Sequence, residues 1–506
     1  MSIYFPCEIR GDAASQLSPE LYRRWGFTLG CFVGPAEKFV VGGDVRASTP
    51  ELLAALVDGL CLAGVDCIDL GQLPTPMVYY ARRRLRAAGA AIVTASHHPP
   101  TANGLQWTIG GRGPTPDEVA ALRAAASCDP HSPPPAPSKE QEETEETESR
   151  AGPVSRSRNL ESEIPNHKSQ IRWPPPAPNR PRSAPRTLDI SFDYVAWLQE
   201  TFVEAIRAQQ HIVLDPMHGC WSGRARRYVH AIFPECLVSV VRDSRHAGFG
   251  GHLPDCCASE ELQELAEAVY RHRAHLGVAL DGDGDAVSLV DSHGVPLGPE
   301  ETAWILLRSL GRGLRGRPFV YDQAFSDRLP EAARQLGAEP LATAGNRPAI
   351  LAQMRRSGAP FGAQCDGHYF FAELEGEDDA LLAACRVIAY SVRSGKSLSQ
   401  LRRRCPVACI TPEIRLPAAP DLQQEVLQQV RLAWAEFPQH TLDGIRVDLP
   451  GGWALVRAGC PEPILSLRFE ACDWPALDHL VRQFCDALPP VGGDLWVRYA
   501  QWAGRD

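Results

Sequence analysis

Asp281-Gly282-Asp283-Gly284-Asp285 places three carboxylates within five residues, between the apolar runs 276–280 and 287–290. The length and composition of these runs predict two short strands joined by an acidic loop. The aspartates would repel one another, and the glycines let the backbone curl, so we expect the carboxylates to converge on one cation. Oxygen ligands without neighbouring His or Cys favour Mg²⁺. An acidic surface turn or a weak calcium loop is the alternative.

A second stretch, Val93-Thr94-Ala95-Ser96-His97-His98-Pro99-Pro100, continues the apolar run that begins at Ala90. The run predicts a buried strand, and the two prolines prevent a helix from following at once, so Ser96 is expected to be exposed at the carboxyl end of that strand. A Ser-His pair on a turn more commonly makes only a local hydrogen bond. Taken with the acidic loop, however, this hydroxyl indicates metal-assisted phosphoryl transfer through a phosphoserine.

The order of these and further motifs resembles the α-D-phosphohexomutase family, which includes bacterial phosphomannomutases and phosphoglucomutases. The resemblance runs from Phe5 to about Arg498, apart from one insertion. Besides the serine and aspartate loops, the matching segments are Glu8-Ile9-Arg10-Gly11, Val41-Gly42-Gly43-Asp44-Val45-Arg46-Ala47-Ser48, Pro74-Thr75-Pro76, Asn103-Gly104, Asp366-Gly367-His368-Tyr369-Phe370-Phe371, Thr411-Pro412-Glu413-Ile414-Arg415, Gly452-Trp453-Ala454-Leu455-Val456-Arg457, Glu462-Pro463 and Leu467-Arg468-Phe469-Glu470.

The resemblance implies an α/β protein of four domains: three mixed α/β sandwich domains and a smaller C-terminal α+β domain. The expected domains are 1–126 with the serine loop, 188–298 with the metal loop, 299–410 with a sugar-recognition loop, and 411–506 with a phosphate-binding loop. The active cleft would receive one loop from each. Alternating strand and helix patterns along the chain independently favour mainly parallel sheets covered by helices.

The resemblance also implies roles for individual residues. Ser96 would carry the phosphoryl group, and Arg10 and His97 would complete the catalytic set. The expected ligands of the Mg²⁺ cofactor are Ser96, Asp281, Asp283 and Asp285. The expected substrate-binding residues come from two loops, with Asp366, Gly367 and His368 in the sugar-recognition loop and Arg457 and Gly459 in the phosphate-binding loop. The expected ligand is a hexose phosphate.

The chain departs from the family pattern in all four loops. A family Asn-Gly-x-Lys is Asn103-Gly104-Leu105-Gln106 here, and the family Arg after the third metal aspartate is Ala286. The family Gly-Glu-x-Ser-Gly-His is Ala363-Gln364-Cys365-Asp366-Gly367-His368. The phosphate-binding loop, Arg457-Ala458-Gly459-Cys460-Pro461-Glu462-Pro463, lacks two hydroxyl donors, and Pro461 removes one N–H. Each acid, base or electrostatic donor that is lost removes a contribution of about 10²- to 10⁴-fold to the rate of catalysis.

Two functions therefore remain open. The first is a phosphohexomutase of reduced activity, which interconverts hexose 1-phosphate and 6-phosphate through a phosphoserine and a bisphosphate intermediate. The second is a non-catalytic relative that binds a sugar phosphate or a partner protein. Ser96 and the three aspartates favour the first function, whereas Gln106, Ala286 and Gln364 favour the second.

Length and charge agree with a multidomain protein of this kind. A chain of 506 residues indicates three to four domains. A net charge of −10 argues against a nucleic-acid surface, although Arg10, Arg46 and Arg457 are expected to form a local positive pocket. The sequence has no apolar run long enough to span a membrane, and its first residues lack the pattern of a secretory signal peptide. We therefore expect no membrane association and a cytoplasmic location.

Residues 127–187 differ sharply in composition from the rest of the chain. They contain the proline runs 133–135 and 174–176, the acidic run 142–148 and an arginine-rich second half. So little apolar surface predicts a disordered insertion between the first and second domains. A spacer is the favoured role, and a protein-binding segment is the alternative.

Overall fold

The computed structural model describes residues 2–5, 8–127, 184–406, 408–459 and 463–504. Four β-sheets follow one another along these residues, each with its own helices. The first three sheets mix parallel and antiparallel strands, and the fourth is antiparallel. This architecture confirms the predicted α/β class.

The first sheet has six strands and contains the serine segment at the end of one of them. Its strands are β1 (Ile9–Asp12), β2 (Lys38–Gly43), β3 (Asp66–Gln72), β4 (Gly89–Val93), β5 (Ala102–Ile109) and β6 (Arg186–Thr187). Its helices are α1 (Pro19–Val33), α2 (Thr49–Leu62), α3 (Thr75–Leu85) and α4 (Pro116–Ser127). The strand order is β1-β5-β4-β2-β3-β6. β2 pairs in parallel with β3 and β4, and β5 pairs antiparallel with β4 and β1.

The predicted insertion, residues 127–187, lies outside the described residues from 128 to 183. The last two residues of the predicted insertion are ordered, whereas disorder was predicted: Arg186 and Thr187 pair in parallel with Ile68 and Asp69 of β3. Arg186 also donates to the carboxylate of Asp66 over 3.0 and 2.7 Å. A strand of two residues leaves no periodic signal in a polar segment, which is why composition did not reveal it.

The second sheet, in the order β10-β9-β7-β8, carries the acidic loop. Its strands are β7 (His211–Asp215), β8 (Leu237–Val240), β9 (Leu276–Leu280) and β10 (Val287–Asp291), and its helices are α5 (Ser191–Thr201), α6 (Ala225–Ile232) and α7 (Gln263–His272). β9 and β10 pair antiparallel, and residues 281–286 connect them. The predicted arrangement of strand, acidic loop and strand is therefore confirmed.

The third sheet has the order β12-β11-β13-β14. Its strands are β11 (Pro318–Asp322), β12 (Glu339–Thr343), β13 (Phe361–Ala363) and β14 (Tyr369–Phe371). Its helices are α8 (Pro299–Leu310), α9 (Arg328–Gln335), α10 (Arg347–Ser357), α11 (Ala380–Ser394) and α12 (Leu398–Arg402). β13 and β14 form an antiparallel hairpin. Residues 364–368, the expected sugar-recognition loop, are the connection within it.

The fourth sheet is antiparallel and lies at the end of the chain. Its strands are β15 (Cys409–Ile410), β16 (Ile414–Pro417), β17 (Gln439–His440), β18 (Ile445–Leu449), β19 (Gly452–Ala458) and β20 (Ile464–Ala471), and its helices are α13 (Pro420–Ala433), α14 (Trp474–Ala487) and α15 (Pro489–Ala503). β19 and β20 flank the expected phosphate-binding loop, of which residues 460–462 lie outside the described residues.

Among the described residues, the largest clusters of buried apolar side chains are one shared by the first three domains, one within the first domain and a separate one in the fourth. The shared cluster includes Val40, Ile212 and Phe319, one from each of the first three sheets. The separate cluster packs α13 and α14 on the fourth sheet and includes Val426 and Val481. No helix in the described ranges is both long enough and apolar enough to cross a membrane.

Candidate active site

Loops from all four domains line one cleft of about 580 Å³. Its wall contains most of the residues predicted to act in catalysis and substrate binding: Arg10, Ser96, His97, Asp285, Asp366, His368, Arg457 and Gly459. Asp281 and Asp283 lie behind this wall, where Asp281 contacts Ser96 and Asp283 contacts the serine segment. The structure therefore brings the predicted site residues together.

Ser96 lies just beyond β4, and its hydroxyl faces the acidic loop. Oγ donates to Asp281 Oδ2 over 3.1 Å and lies 3.2 Å from His97 Nδ1. The backbone of Ser96 has a φ of 48°, a left-handed conformation that costs energy for a residue with a side chain. Its N–H donates to Thr94 Oγ1 over 2.8 Å, and its carbonyl accepts from Arg46 over 2.7 Å. These bonds hold Ser96 in its strained turn.

The predicted exposure of Ser96 is wrong, because only 4% of the residue is accessible to solvent. The acidic loop covers it: a Cβ placed on Gly282 would lie 2.9 Å from the Ser96 carbonyl oxygen and 2.9 Å from Pro254 Cβ. Position 282 therefore requires glycine for this close approach. The covering residues belong to another domain, so the local sequence around Ser96 carries no sign of them.

Arg46 does not join the predicted positive pocket. Its side chain is fully buried, with Nε bound to Asp44 Oδ2 over 2.8 Å. Its other nitrogens donate to carbonyl groups of the serine segment, including those of Ser96 and His98 over 2.7 Å each. Arg46 therefore supports the loop from behind, and Arg10 and Arg457 are the two predicted arginines that line the cleft.

The three aspartates of the acidic loop fit a small divalent cation. Each offers one carboxylate oxygen, and these oxygens lie within 4.8 Å of one another. Asp281 Oδ1 accepts from the N–H groups of Gly284 and Ala286 over 3.0 Å, while Asp283 Oδ2 accepts from two threonine hydroxyls. Asp283 Oδ1 and Asp285 Oδ1 are buried without a hydrogen-bond donor. A cation among these oxygens would satisfy them.

The electrostatics of this loop lead to the same conclusion. Burial, together with the charge of Asp283, raises the pKa values of Asp281 and Asp285 well above the usual range of an aspartate. Such a shift means that three ionised carboxylates cannot share this space without a compensating positive charge. A donor set of oxygens alone suits Mg²⁺. Ser96 Oγ, bonded to Asp281, lies next to these carboxylates, and its expected part as a fourth ligand stays a prediction.

His368 connects the sugar-recognition loop to the metal loop. Its Nδ1 lies 2.9 Å from Asp378 Oδ2 and 3.6 Å from Asp285 Oδ1. Burial opposes its charge, but Asp366, Asp285 and Asp378 outweigh burial and raise the pKa of His368 well above its ordinary value. Gly367 has a φ of 91°, and its carbonyl accepts from the N–H of Val287 over 3.0 Å. The imidazolium is thereby fixed at the cleft wall.

The rest of the sugar-recognition loop is organised by Gln364. Its side-chain nitrogen donates to Asp366 Oδ2 over 2.6 Å and to the carbonyl of Gly345 over 3.1 Å. The oxygens Gln364 Oε1 and Asp366 Oδ1 are both buried and accept no hydrogen bond. Burial raises the pKa of Asp366, an effect that His368 opposes and Asp322 reinforces.

Arg457 and Gly459 also line the cleft. Arg457 donates to Asp322 Oδ1 over 2.6 Å, and its Nε lies 3.5 Å from Asp443 Oδ2. Because these carboxylates outweigh burial, the pKa of Arg457 is raised. The N–H of Gly459 donates to the carbonyl of Ile464 over 2.7 Å. The predicted changes at Cys460 and Pro461 lie outside the described residues.

Arg10 and the two histidines after Ser96 form a third group. Arg10 donates to Glu8 over 2.7 Å and to His98 Nδ1 over 2.6 Å. Burial lowers the pKa of His97 well below its ordinary value, and the neighbouring His98 and Arg10 add to this effect. His97 is therefore uncharged near neutral pH, with Nδ1 beside Ser96 Oγ.

The substitutions at positions 106 and 286 have different surroundings. Gln106 lines the cleft, and its Oε1 accepts from the Tyr79 hydroxyl over a long 3.5 Å. Ala286 is 3% exposed and packs in an apolar cluster that includes Val213 and Met217. A longer side chain therefore has space at position 106 but none at position 286.

Sequence reasoning missed Arg347, a cation at the start of α10 that lines the same cleft. Its guanidinium pairs with Glu377 and Asp378 and lies 4.4 Å from the centre of the Tyr79 ring. The hydroxyl of Tyr79 in turn contacts Gln106. The only sequence signal was local, since the asparagine and proline on either side of Arg347 indicate a helix start.

Comparisons with known proteins match these observations. Three family models, described as Phosphoglucomutase/phosphomannomutase, alpha/beta/alpha domains I, II and III, match residues 7–126, 193–294 and 298–408. The Phosphomannomutase/phosphoglucomutase of Pseudomonas aeruginosa is 27% identical over 503 residues, which cover 98% of each chain.

Solved structures show the same fold. A phosphoglucomutase/phosphomannomutase family protein from Burkholderia thailandensis superposes with a TM-score of 0.77 at 25% identity, over 96% of this chain and 98% of that chain. The N-acetylphosphoglucosamine mutase of Aspergillus fumigatus, solved in complex with GlcNAc-6P and magnesium, gives a TM-score of 0.56 at 12% identity, over 97% and 96%.

Proposed function

Because this chain belongs to the phosphoglucomutase/phosphomannomutase family, we propose that it moves a phosphoryl group between the 1- and 6-positions of a hexose phosphate through Ser96. The observation that carries this proposal is the contact of 3.1 Å between Ser96 Oγ and Asp281 Oδ2. It joins a hydroxyl nucleophile to a cluster of carboxylates suited to a cation, inside a cleft large enough for a sugar phosphate.

The reaction begins with Ser96 phosphorylated. The phosphoryl group passes to the free O6 hydroxyl of a hexose 1-phosphate, so that the bond to Ser96 Oγ breaks and a bond to O6 forms. The O6 proton ends on Ser96 Oγ, and His97 Nδ1, uncharged and 3.2 Å away, can exchange a proton with that oxygen. The resulting bisphosphate reorients in the cleft. The bond between O1 and phosphorus then breaks, a bond from phosphorus to Ser96 Oγ forms, the Oγ proton passes to O1, and hexose 6-phosphate leaves.

The remaining cleft residues bind and orient the substrate in this proposal. Arg457 and Arg415 offer guanidinium groups to the phosphate that is not being transferred. His368 presents a positive N–H to the sugar or its phosphate. Asp281, Asp283 and Asp285 would hold Mg²⁺, which when bound neutralises charge on the transferring phosphoryl group.

The alternative is a relative that binds a sugar phosphate without turning it over. The observation in its favour is Gln106, which lines the cleft where the family pattern has lysine. A coupled assay with glucose 1-phosphate or mannose 1-phosphate, Mg²⁺ and a trace of the matching bisphosphate separates the two functions. We expect turnover that Ser96→Ala abolishes. Sugar-phosphate binding by calorimetry with no turnover above the Ser96→Ala background would establish the binding function.

A further inference from the structure

Most carboxylates that line the cleft lie within 4 Å of a cationic side chain. The pairs are Glu8 with Arg10 at 2.7 Å, Glu413 with Arg415 at 2.8 Å, Asp443 with Arg457 at 3.5 Å and Asp285 with His368 at 3.6 Å. Asp366 is the exception: within the described ranges, no arginine, lysine or histidine nitrogen lies within 4 Å of its carboxylate. His368 attracts it only from a longer distance, since the Nδ1 of that ring is bound to Asp378.

The atoms around Asp366 are arranged as acceptors. Both N–H groups of the Gln364 amide are used, one by Asp366 Oδ2 and one by the carbonyl of Gly345. This leaves Gln364 Oε1 and Asp366 Oδ1, two buried oxygens without a donor, in neighbouring side chains of the cleft wall. Unsatisfied buried acceptors are costly and rare in folded proteins. A ligand that supplies donors would satisfy both oxygens.

Charge decides which donor fits best. A sugar hydroxyl could satisfy the hydrogen bonds, but it would bring no positive charge to Asp366, whose carboxylate is attracted only by the more distant His368. An ammonium group supplies three donors and a positive charge together. We propose that Asp366 and Gln364 bind the ammonium group of an amino-hexose phosphate, and that this pair makes the protein select amino sugars over neutral hexoses. This inference rests on the proposed function and names the substrate class for the same cleft.

Direct binding measurements test the inference without depending on turnover. Calorimetry in saturating Mg²⁺ compares glucosamine 6-phosphate, glucose 6-phosphate and N-acetylglucosamine 6-phosphate, whose amide carries no charge. We expect glucosamine 6-phosphate to bind about 10- to 100-fold more tightly than either of the two ligands without an ammonium group, which is the range for a charged hydrogen bond. Asp366→Asn, which keeps the shape and removes the charge, should bring the three affinities together, because only the ligand with an ammonium group loses a charge pair.

The pH dependence of wild-type binding gives a second readout that needs no variant. The preference should disappear as pH rises through the pKa of the sugar amine, because the neutral amine has lost its charge. Equal binding of all three ligands by the wild type, or a preference that persists above that pKa, would overturn the inference and leave the mutase proposal intact. Binding of none of the three would overturn both.

Discussion

The side-chain nitrogen of Gln364 lies 2.6 Å from Asp366 Oδ2. The family pattern has glutamate and serine at these two positions, so the loop keeps one carboxylate but carries it two residues further along. An amide at position 364 can donate to the relocated carboxylate, whereas a glutamate there could not. The two departures are therefore coupled, and neither alone indicates a decayed site.

This coupling predicts that the effect of a substitution at position 364 depends on the residue at position 366. Gln364→Glu alone places two carboxylates within hydrogen-bond distance, so we expect it to lower the melting temperature and weaken sugar-phosphate binding. Combining it with Asp366→Ser should restore both, with a coupling energy of about 0.5–3 kcal/mol. Thermal unfolding of the two single variants and the double variant measures this energy. Additive effects would show that the two side chains act independently.

The metal site predicts that Asp283→Asn greatly weakens Mg²⁺ binding. The change replaces a charged ligand by a neutral amide while keeping an oxygen for Thr75 and Thr94. Calorimetric titration with Mg²⁺ measures the effect. Asp193→Asn, in a half-exposed side chain of α5, serves as the matched control. Equal affinities in the wild type and Asp283→Asn would remove the metal assignment.

Activity should increase when a cation returns to position 106. Gln106 lines the cleft and makes one long hydrogen bond, so a lysine fits there, whereas Ala286 is enclosed and is best left unchanged. We expect Gln106→Lys, combined with Gln364→Glu and Asp366→Ser, to raise mutase turnover of glucose 1-phosphate at least ~10²-fold. Gln106→Met in the same background is the uncharged control. If Gln106→Lys and Gln106→Met raise turnover equally, the charge at position 106 is not limiting.

The stability of the protein should depend on pH through Asp379. This carboxylate accepts from the N–H of Leu382 and the hydroxyl of Tyr194, but burial raises its pKa from 3.8 to about 7. The folded state therefore holds a proton that the unfolded chain releases near pH 4, so this group lowers stability as pH rises from about 4 to about 7.

Asp379→Asn removes this titration: its single oxygen can keep the bond from the N–H of Leu382, and its NH2 group can donate to the hydroxyl oxygen of Tyr194. We expect the free energy of unfolding of the variant to fall less steeply with pH than that of the wild type, by at most about 1.4 kcal/mol per pH unit. Urea unfolding midpoints at pH 5 and pH 7 provide the comparison. An unchanged slope in the variant would mean that Asp379 does not hold the proton.

The segment between α4 and β6 predicts tolerance to deletion. Because residues 133–183 lack a core-forming pattern, we expect a chain without them, joined by a short Gly/Ser linker, to melt cooperatively within a few degrees of the full chain. Differential scanning calorimetry of both proteins makes the comparison. Loss of the cooperative transition would show that the deleted residues pack on the domains.

Local patterns in the sequence predicted the strand and loop positions well. The apolar runs around Asp281 and before Ser96 identified β9, β10 and β4, because strand length and turn glycines are local properties. The burial of Ser96 could not be predicted in this way, since Asp281 and Gly282, which lie against it, belong to another domain. The position of Arg347 in the cleft wall could not be predicted either, since it depends on contacts with Asp378 and with the ring of Tyr79.

The central claim is that Ser96 carries the phosphoryl group, and phosphate mapping tests it most directly. The protein is incubated with glucose 1,6-bisphosphate and Mg²⁺, digested, and examined by mass spectrometry, with Ser96→Ala in parallel. We expect one phosphoryl group on Ser96, which leaves the protein when glucose 6-phosphate is added, and none on the variant. A wild-type protein that remains unphosphorylated at Ser96, or a Ser96→Ala protein with undiminished mutase turnover, would contradict the account.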